Sequence, residues 1–195
     1  LLMAGHLRYT AILDACVLYG MLKTDVMLTL SSRGLFAAKW SERIDEEWTR
    51  NLIADKPGME EAVARRLSAM HNASPDWAVD AAAIQALEAS LDLPDPDDRH
   101  VLAAAIIGHA DCIVTENHKD FPEAAVSKFG IEVIAPDVFI INQLDLNEYD
   151  ALAALKSLRL RWRRPEATAE DFCAAFERNG LLLTASRLRD RIELI

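Results

Sequence analysis

The run Leu91–Pro122, LDLPDPDDRHVLAAAIIGHADCIVTENHKDFP, holds the information that decides the fold. Three acids, Asp95, Asp97 and Asp98, fall just before the apolar run Val101–Ile107. Acids in that position mark the opening turn of a helix. Asp95 suits the N-cap, Pro96 the first helical position, and Asp97 and Asp98 oppose the helix dipole. Gly108 and His109 close that helix, and Asp111–Thr115 (DCIVT) then reads as a short buried strand. The strand runs out into Glu116–Asp120, a polar loop at its carboxyl end. Ligands of open α/β sheets sit in the crevice beyond the carboxyl ends of the strands, so Asn117 and Asp120 stand where chemistry is usually done. Dipole compensation, at roughly 0.3–1 kcal/mol per acid, is explanation enough for Asp95 and Asp97. Asp98 becomes more than that only if other carboxylates converge on it.

Outward from this run the same grammar repeats. Tyr9–Asp14 is a short apolar strand that stops at an acid, and Ala15–Leu30 follows as a buried helix, apolar nearly all round. Ser31–Gly34 is a break, and Leu35–Trp40 is a short extended or helical segment. Ser41 offers an N-cap for a helix over Glu42–Ala54, in which Glu47 shares a stripe with Ile44 and Trp48 while Glu46 faces solvent. A carboxylate on an apolar face is unusual unless it is paired or binds a cation. Further helices are expected over Met59–Asn72 and from Trp77 to Leu87, with a short strand possible near Leu87–Leu91. Glu123–Phe129 is a short helix ended by Gly130, Ile131–Ile134 a strand, and Pro136–Leu144 a helix.

Alternating strands and helices predict a short parallel sheet with helices on its faces, an α/β class. From Asp145 the pattern is helical alone, with helices at 148–163, 169–178 and 182–193 and capping-box starts at Asn147 and Thr168. The expected organisation is therefore an α/β domain over 9–144 and a helical C-terminal extension over 145–195.

A chain of 195 residues suits one domain of ordinary size with a small appendage, and no apolar run approaches a membrane span. Leu1–His6 is too short for a signal peptide. The cysteines, Cys16, Cys112 and Cys173, are far apart and lack metal-ligand spacing, so they read as reduced core residues of a cytoplasmic protein. A net charge of −10 argues against broad, nonspecific nucleic-acid binding. The deficit lies wholly in residues 1–144, with 12 Lys and Arg against 22 Asp and Glu, so a carboxylate cluster is plausible there. Asp14, Glu47, Asp98 and Asp120 come from four elements. Gathering them costs electrostatic energy that a hard divalent cation would offset.

Four segments sharpen this reading: Ala11–Leu18 (AILDACVL), Ser41–Glu47 (SERIDEE), Asp95–Ala105 (DPDDRHVLAAA) and Ile113–Phe121 (IVTENHKDF). Together they resemble the four motifs of PIN-domain ribonucleases, in order and spacing, over Tyr9 to Leu144; the branch they look most like is the VapC toxins of VapBC systems. The resemblance implies an α/β/α sandwich around a short central parallel sheet. It also implies hydrolysis of RNA phosphodiesters with Mg²⁺ or Mn²⁺, a cognate antitoxin, and a homodimer. By position, Asp14 matches the first metal ligand, Glu47 the acid of the second motif and Asp98 the third acid. Many relatives have Thr-x-Asp at the fourth motif, where this chain has Thr115-Glu-Asn117. Asp120 then supplies a carboxylate three residues on, Asn117 orients water without adding charge, and Thr115 supports a ligand. The expected site is catalytic Asp14, Glu47, Asp98, Asn117 and Asp120, with Asp14, Asp98 and Asp120 as metal ligands.

Two other readings stay open: a PIN scaffold that binds RNA or a protein without cutting, and an aspartyl phosphatase. The second is disfavoured because Cys16 stands where such an enzyme needs its second Asp. His100 and His118 flank the acids, but a histidine in such a place is more often a surface or supporting residue than a ligand. Arg159, Arg161, Arg163 and Arg164 form the one dense basic run, which reads as a solvated helix end ahead of a contact to RNA phosphates or an anchor for an acidic partner. Trp40, Trp48, Trp77 and Trp162 read as core or interface anchors.

Overall fold

The computed structural model describes residues 8–163 and 166–195. Leu1–His6 and Arg164, discussed above from sequence, therefore lie outside the described residues. Four short strands, β1 (Thr10–Leu13), β2 (Ala37–Lys39), β3 (Cys112–Val114) and β4 (Glu132–Ile134), form one parallel sheet in the order β2-β1-β3-β4. Ala11, Ile12 and Leu13 pair with Cys112, Ile113 and Val114, and all six side chains are fully buried. Strands covered by helices on both faces cannot alternate polar with apolar, which is why these runs are continuously hydrophobic.

The helices are α1 (Ala15–Tyr19), α2 (Met21–Ser32), α3 (Glu42–Asp55), α4 (Glu60–Ala73), α5 (Ala81–Glu88), α6 (Arg99–Ile107), α7 (Glu123–Val126), α8 (Pro136–Leu146), α9 (Glu148–Leu160), α10 (Ala169–Arg178) and α11 (Leu182–Arg189). Several boundaries differ from the sequence expectation, each for a local reason. The helix expected over 15–30 is two, because Gly20 is extended between α1 and α2. Within Leu35–Trp40 only Ala37–Lys39 is strand, β2 paired with β1, and Trp40 bridges to Ala78. That bridge holds Trp77 and Ala78 extended, so the next helix begins only after Asp80, whose side chain caps Ala83 at 2.7 Å. No strand forms near Leu87–Leu91; the segment is the end of α5 and a turn. The last long helix stops at Arg189 instead of 193.

Two glycines have structural work. Gly130 ends the 3-10 turn after α7 at φ +73°, a left-handed conformation that side-chain-bearing residues rarely adopt. Gly108 ends α6 in close packing, where a Cβ would come within 3.2 Å of Val79 and 3.6 Å of Ile12.

The helical extension is not a separate body. Phe172, Phe176, Leu155 and Leu158 are buried in the same hydrophobic cluster as Ile12 and Trp48, with α9 against α2 and α11 against α8. Asp137 fastens the seam: its carboxylate accepts the backbone N–H groups of Leu183 and Thr184 at 2.7 and 2.9 Å, and the Thr184 hydroxyl at 2.7 Å. These are the otherwise unpartnered amides at the start of α11.

Two members of the basic run are engaged by their own chain. Arg159 donates to the carbonyls of Ala167 and Ile195, and Arg161 to the Thr29 hydroxyl. All three cysteines are free, Cys112 and Cys173 in the core and Cys16 half-buried. Among the described residues no helix is long and apolar enough to cross a membrane.

Candidate metal and active site

With every strand pointing the same way, the carboxyl ends of β1 and β3 share one edge of the sheet. Asp14 follows β1 directly and caps α1. Its Oδ1 accepts the Ala15 N–H at 2.7 Å, and its Oδ2 accepts the Thr115 hydroxyl at 2.6 Å and the Cys16 thiol at 3.2 Å. It is 5 % exposed. Burial pushes its pKa above the ordinary carboxylate value; the three donors pull it back, and the Glu47 charge adds a smaller push upward.

Thr115, fully buried at the end of β3, is the joint of this network. Besides donating to Asp14 it accepts the Asn117 backbone N–H at 2.9 Å, so the turn after β3 is tied to the acid after β1. Burial and the neighbouring Asp14 push the Cys16 thiol up to about 12, so it stays protonated and acts as a donor. Its sulfur also accepts the Glu116 N–H at 3.3 Å. Glu116 in turn meets Lys23 of α2 at 2.5 Å.

The tightest convergence lies beside this network. One carboxylate oxygen from each of Asp95, Asp98 and Asp120 can be chosen so that all three lie within 4.8 Å of one another. Asp95 caps the 3-10 turn Pro96–Asp98, accepting the Asp97 N–H at 2.9 Å. The sequence expectation of a cap is correct in place, yet Asp95 also faces Asp98 and Asp120, which its sequence context gave no reason to expect. The Asp98 carboxyl is pushed up to about 6, first by burial and then by the charges of Asp14, Asp95, Asp120 and Glu47. Asp14 is thus near enough to repel Asp98 without belonging to the tight trio. Neither His100 nor His118 joins it.

Glu47 reaches in from α3, where Ile44 and Trp48 of the same stripe are fully buried and Glu46 is exposed. Its side chain is 34 % exposed, with Oε2 at 3.5 Å from His100 Nε2. The acid beside it, Asp45, was not singled out from sequence. It is buried and accepts the indole N–H groups of Trp40 and Trp48 at 3.0 and 2.8 Å, with His71 Nε2 at 2.8 Å. The signal was present: two tryptophans, five residues before and three after an acid, need acceptors once buried. Asp45 fixes α3 and therefore Glu47.

Oxygen donors that converge on Asp98 and raise its proton affinity fit a hard divalent cation, which relieves the repulsion. The donor set offers carboxylates without thiolate or imidazole, the chemistry suited to Mg²⁺ or Mn²⁺. An open groove of about 480 Å³ is lined by Ala15, Cys16, Tyr19, Glu47, Asn51 and Glu116 among others, so Glu47 belongs to its wall.

A parallel sheet whose order reverses beside a rim of acids is the arrangement of a PIN-type fold. Residues 10–119 match the PIN domain family, more than half of the chain, and the chain belongs to that family. Residues 136–190 match a second family, described as the VapC50 C-terminal domain. One relative, "Putative ribonuclease VapC50" of Mycobacterium tuberculosis (strain ATCC 25618 / H37Rv), is 51% identical over 51 residues, 26% of this chain and 30% of the relative. The match therefore spans less than a third of that relative's length. No solved structure matches. The chain is a VapC-like PIN-domain protein with an α/β/α core and a helical C-terminal part.

Proposed function

We propose that this protein is a metal-dependent endoribonuclease that hydrolyses RNA phosphodiesters and serves as the toxin of a VapBC-type toxin–antitoxin pair. The observation that carries the reading is the gathering of Asp95, Asp98 and Asp120 beside Asp14 and Glu47 in a PIN-domain chain. Asp14, Asp98 and Asp120 would hold Mg²⁺ or Mn²⁺ directly or through water, with Asp95 as a fourth carboxylate. When bound, such a cation supplies Lewis-acid stabilisation of charge developing on the phosphate. Glu47, partly exposed on the wall of the groove, accepts the proton of the attacking water. Asn117 orients water without adding to the negative charge, and Thr115 holds Asp14 in one rotamer through its 2.6 Å bond. The name of the M. tuberculosis relative supports ribonuclease chemistry.

The same reading makes RNA the substrate and a cognate antitoxin the partner, with a homodimer as the assembly and the cytoplasm as the site of action. Exposed Leu146, Tyr149, Leu182 and Leu183 on the C-terminal helices supply apolar surface for protein contacts. Residues 9–144 would form the nuclease and 145–195 its helical cover.

The deciding experiment is conservative substitution. Asp14→Asn and Asp98→Asn should each abolish Mn²⁺-dependent cleavage of single-stranded RNA while circular dichroism shows the fold unchanged. If both variants cut as fast as the parent, the site is assigned wrongly.

A further inference from the structure

We propose that His100 is a positioning residue for Glu47: its Nε2–H holds the Glu47 carboxylate in the orientation that takes a proton from water. The catalytic half of this inference rests on the ribonuclease reading above, whereas the geometric half stands without it. His100 lies in the first turn of α6, two residues after Asp98, and is 2 % exposed. Its two ring nitrogens have opposite surroundings. Nε2 faces Glu47 Oε2 at 3.5 Å, while Nδ1 is shielded from solvent and has no hydrogen-bond partner.

That asymmetry dictates the tautomer. A proton on Nδ1 would bury a donor without an acceptor and turn the Nε2 lone pair toward a carboxylate, two penalties at once. A proton on Nε2 leaves one unsatisfied acceptor and gives Glu47 a donor. Within α6 the neighbours Val101, Leu102, Ala103, Ala104 and Ala105 are all buried and apolar, so packing alone would be served by leucine. The imidazole gains only at its Glu47 edge. The 3.5 Å separation is longer than a good hydrogen bond. Glu47 is a half-exposed side chain on a long stem, and catalytic contacts of this kind tighten when substrate is bound. Acting through Glu47, the ring orients the proton acceptor and does not itself touch the phosphate.

Two measurements on the full chain test this. Long-range ¹⁵N–¹H correlation with labelled histidine should show His100 as the Nε2–H tautomer, with its Nε2 signal moving in Glu47→Gln; an Nδ1–H tautomer would overturn the proposal. In Mn²⁺-dependent RNA cleavage, His100→Leu should lower kcat by roughly 10- to 100-fold, as is typical for supporting partners, with little change in KM. His100→Gln, whose amide nitrogen stands in for Nε2, should keep kcat of the parent's order. In a Glu47→Ala background His100→Leu should cost nothing further. Equal losses in the Gln and Leu variants, or a full additional loss in the Glu47→Ala background, would reduce His100 to a packing residue. A parent that cuts no RNA would sink the ribonuclease reading and the catalytic half of this one. A parent that cuts while His100→Leu keeps its kcat sinks the role of His100 alone.

Discussion

Replacing Asp98 by asparagine should make the protein more resistant to heat as it loses activity, and the size of the gain follows from the acids around it. Burial, then Asp14, Asp95, Asp120 and Glu47, raise the Asp98 carboxyl from 3.8 to about 6. At about 1.36 kcal/mol per pH unit, that gap corresponds to ~3 kcal/mol at most. Asp98 is half-exposed, and solvent screening brings the expected effect to ~1–2 kcal/mol. Below pH 3.8 the group is protonated whether the chain is folded or not, and nothing is lost. As pH rises toward 6 the unfolded chain releases the proton that the folded chain retains, so stability falls and then levels off above about 6. Asparagine cannot ionise and escapes this loss. For a chain of this size the gain amounts to roughly 2–8 °C in Tm. Scanning calorimetry in EDTA should show it at pH 8 and show almost none near pH 4. Addition of Mn²⁺ should reverse the order, since a ligand at 100 times its Kd stabilises by about 2.7 kcal/mol and the variant would lack one of the proposed metal ligands. A variant no more stable than the parent at pH 8 in EDTA would refute the claim that these carboxylates repel one another.

Two further substitutions probe the supports of the site. Thr115→Val keeps the shape but removes the donor to Asp14, which should cost about 1.5–3 kcal/mol in urea denaturation; an unchanged midpoint would mean the hydroxyl does not hold the acid. Asp45→Ala strands two buried indole N–H groups and should cost roughly 3–5 kcal/mol, with a red shift of tryptophan emission. A loss below about 1 kcal/mol would show that Asp45 does not brace α3.

What was legible in the sequence, and what was not, divides by the range of the interactions involved. The strands at Thr10–Leu13, Cys112–Val114 and Glu132–Ile134 and the helix opened by Asp95 are written in local periodicity and capping, so they could be read directly. Gly20 splitting one helix into two was harder, since the flanking segments are apolar on both sides and the periodicity runs through the break. The delayed start of α5 depends on Trp40 pairing with Ala78, a contact between residues far apart in the chain. The site shows the same division. The acids at strand ends were placed by topology, whereas the second duty of Asp95 depends on where the loop after β3 brings Asp120. Capping fully accounted for Asp95 at the local level, and that sufficiency concealed the rest. Asp45 was hidden because its partners, Trp40, Trp48 and His71, become its partners only when the helices pack.

The uniform direction of the four strands bears on how such a site could change over time. Since every turn on one side of the sheet empties toward the same small space, a donor lost at one address can be regained at another without rebuilding the scaffold. An asparagine at 117 with an aspartate at 120 is what such a relocation would leave behind. On the metal-site reading proposed above, the total charge brought to that space would matter more than which turn delivers it.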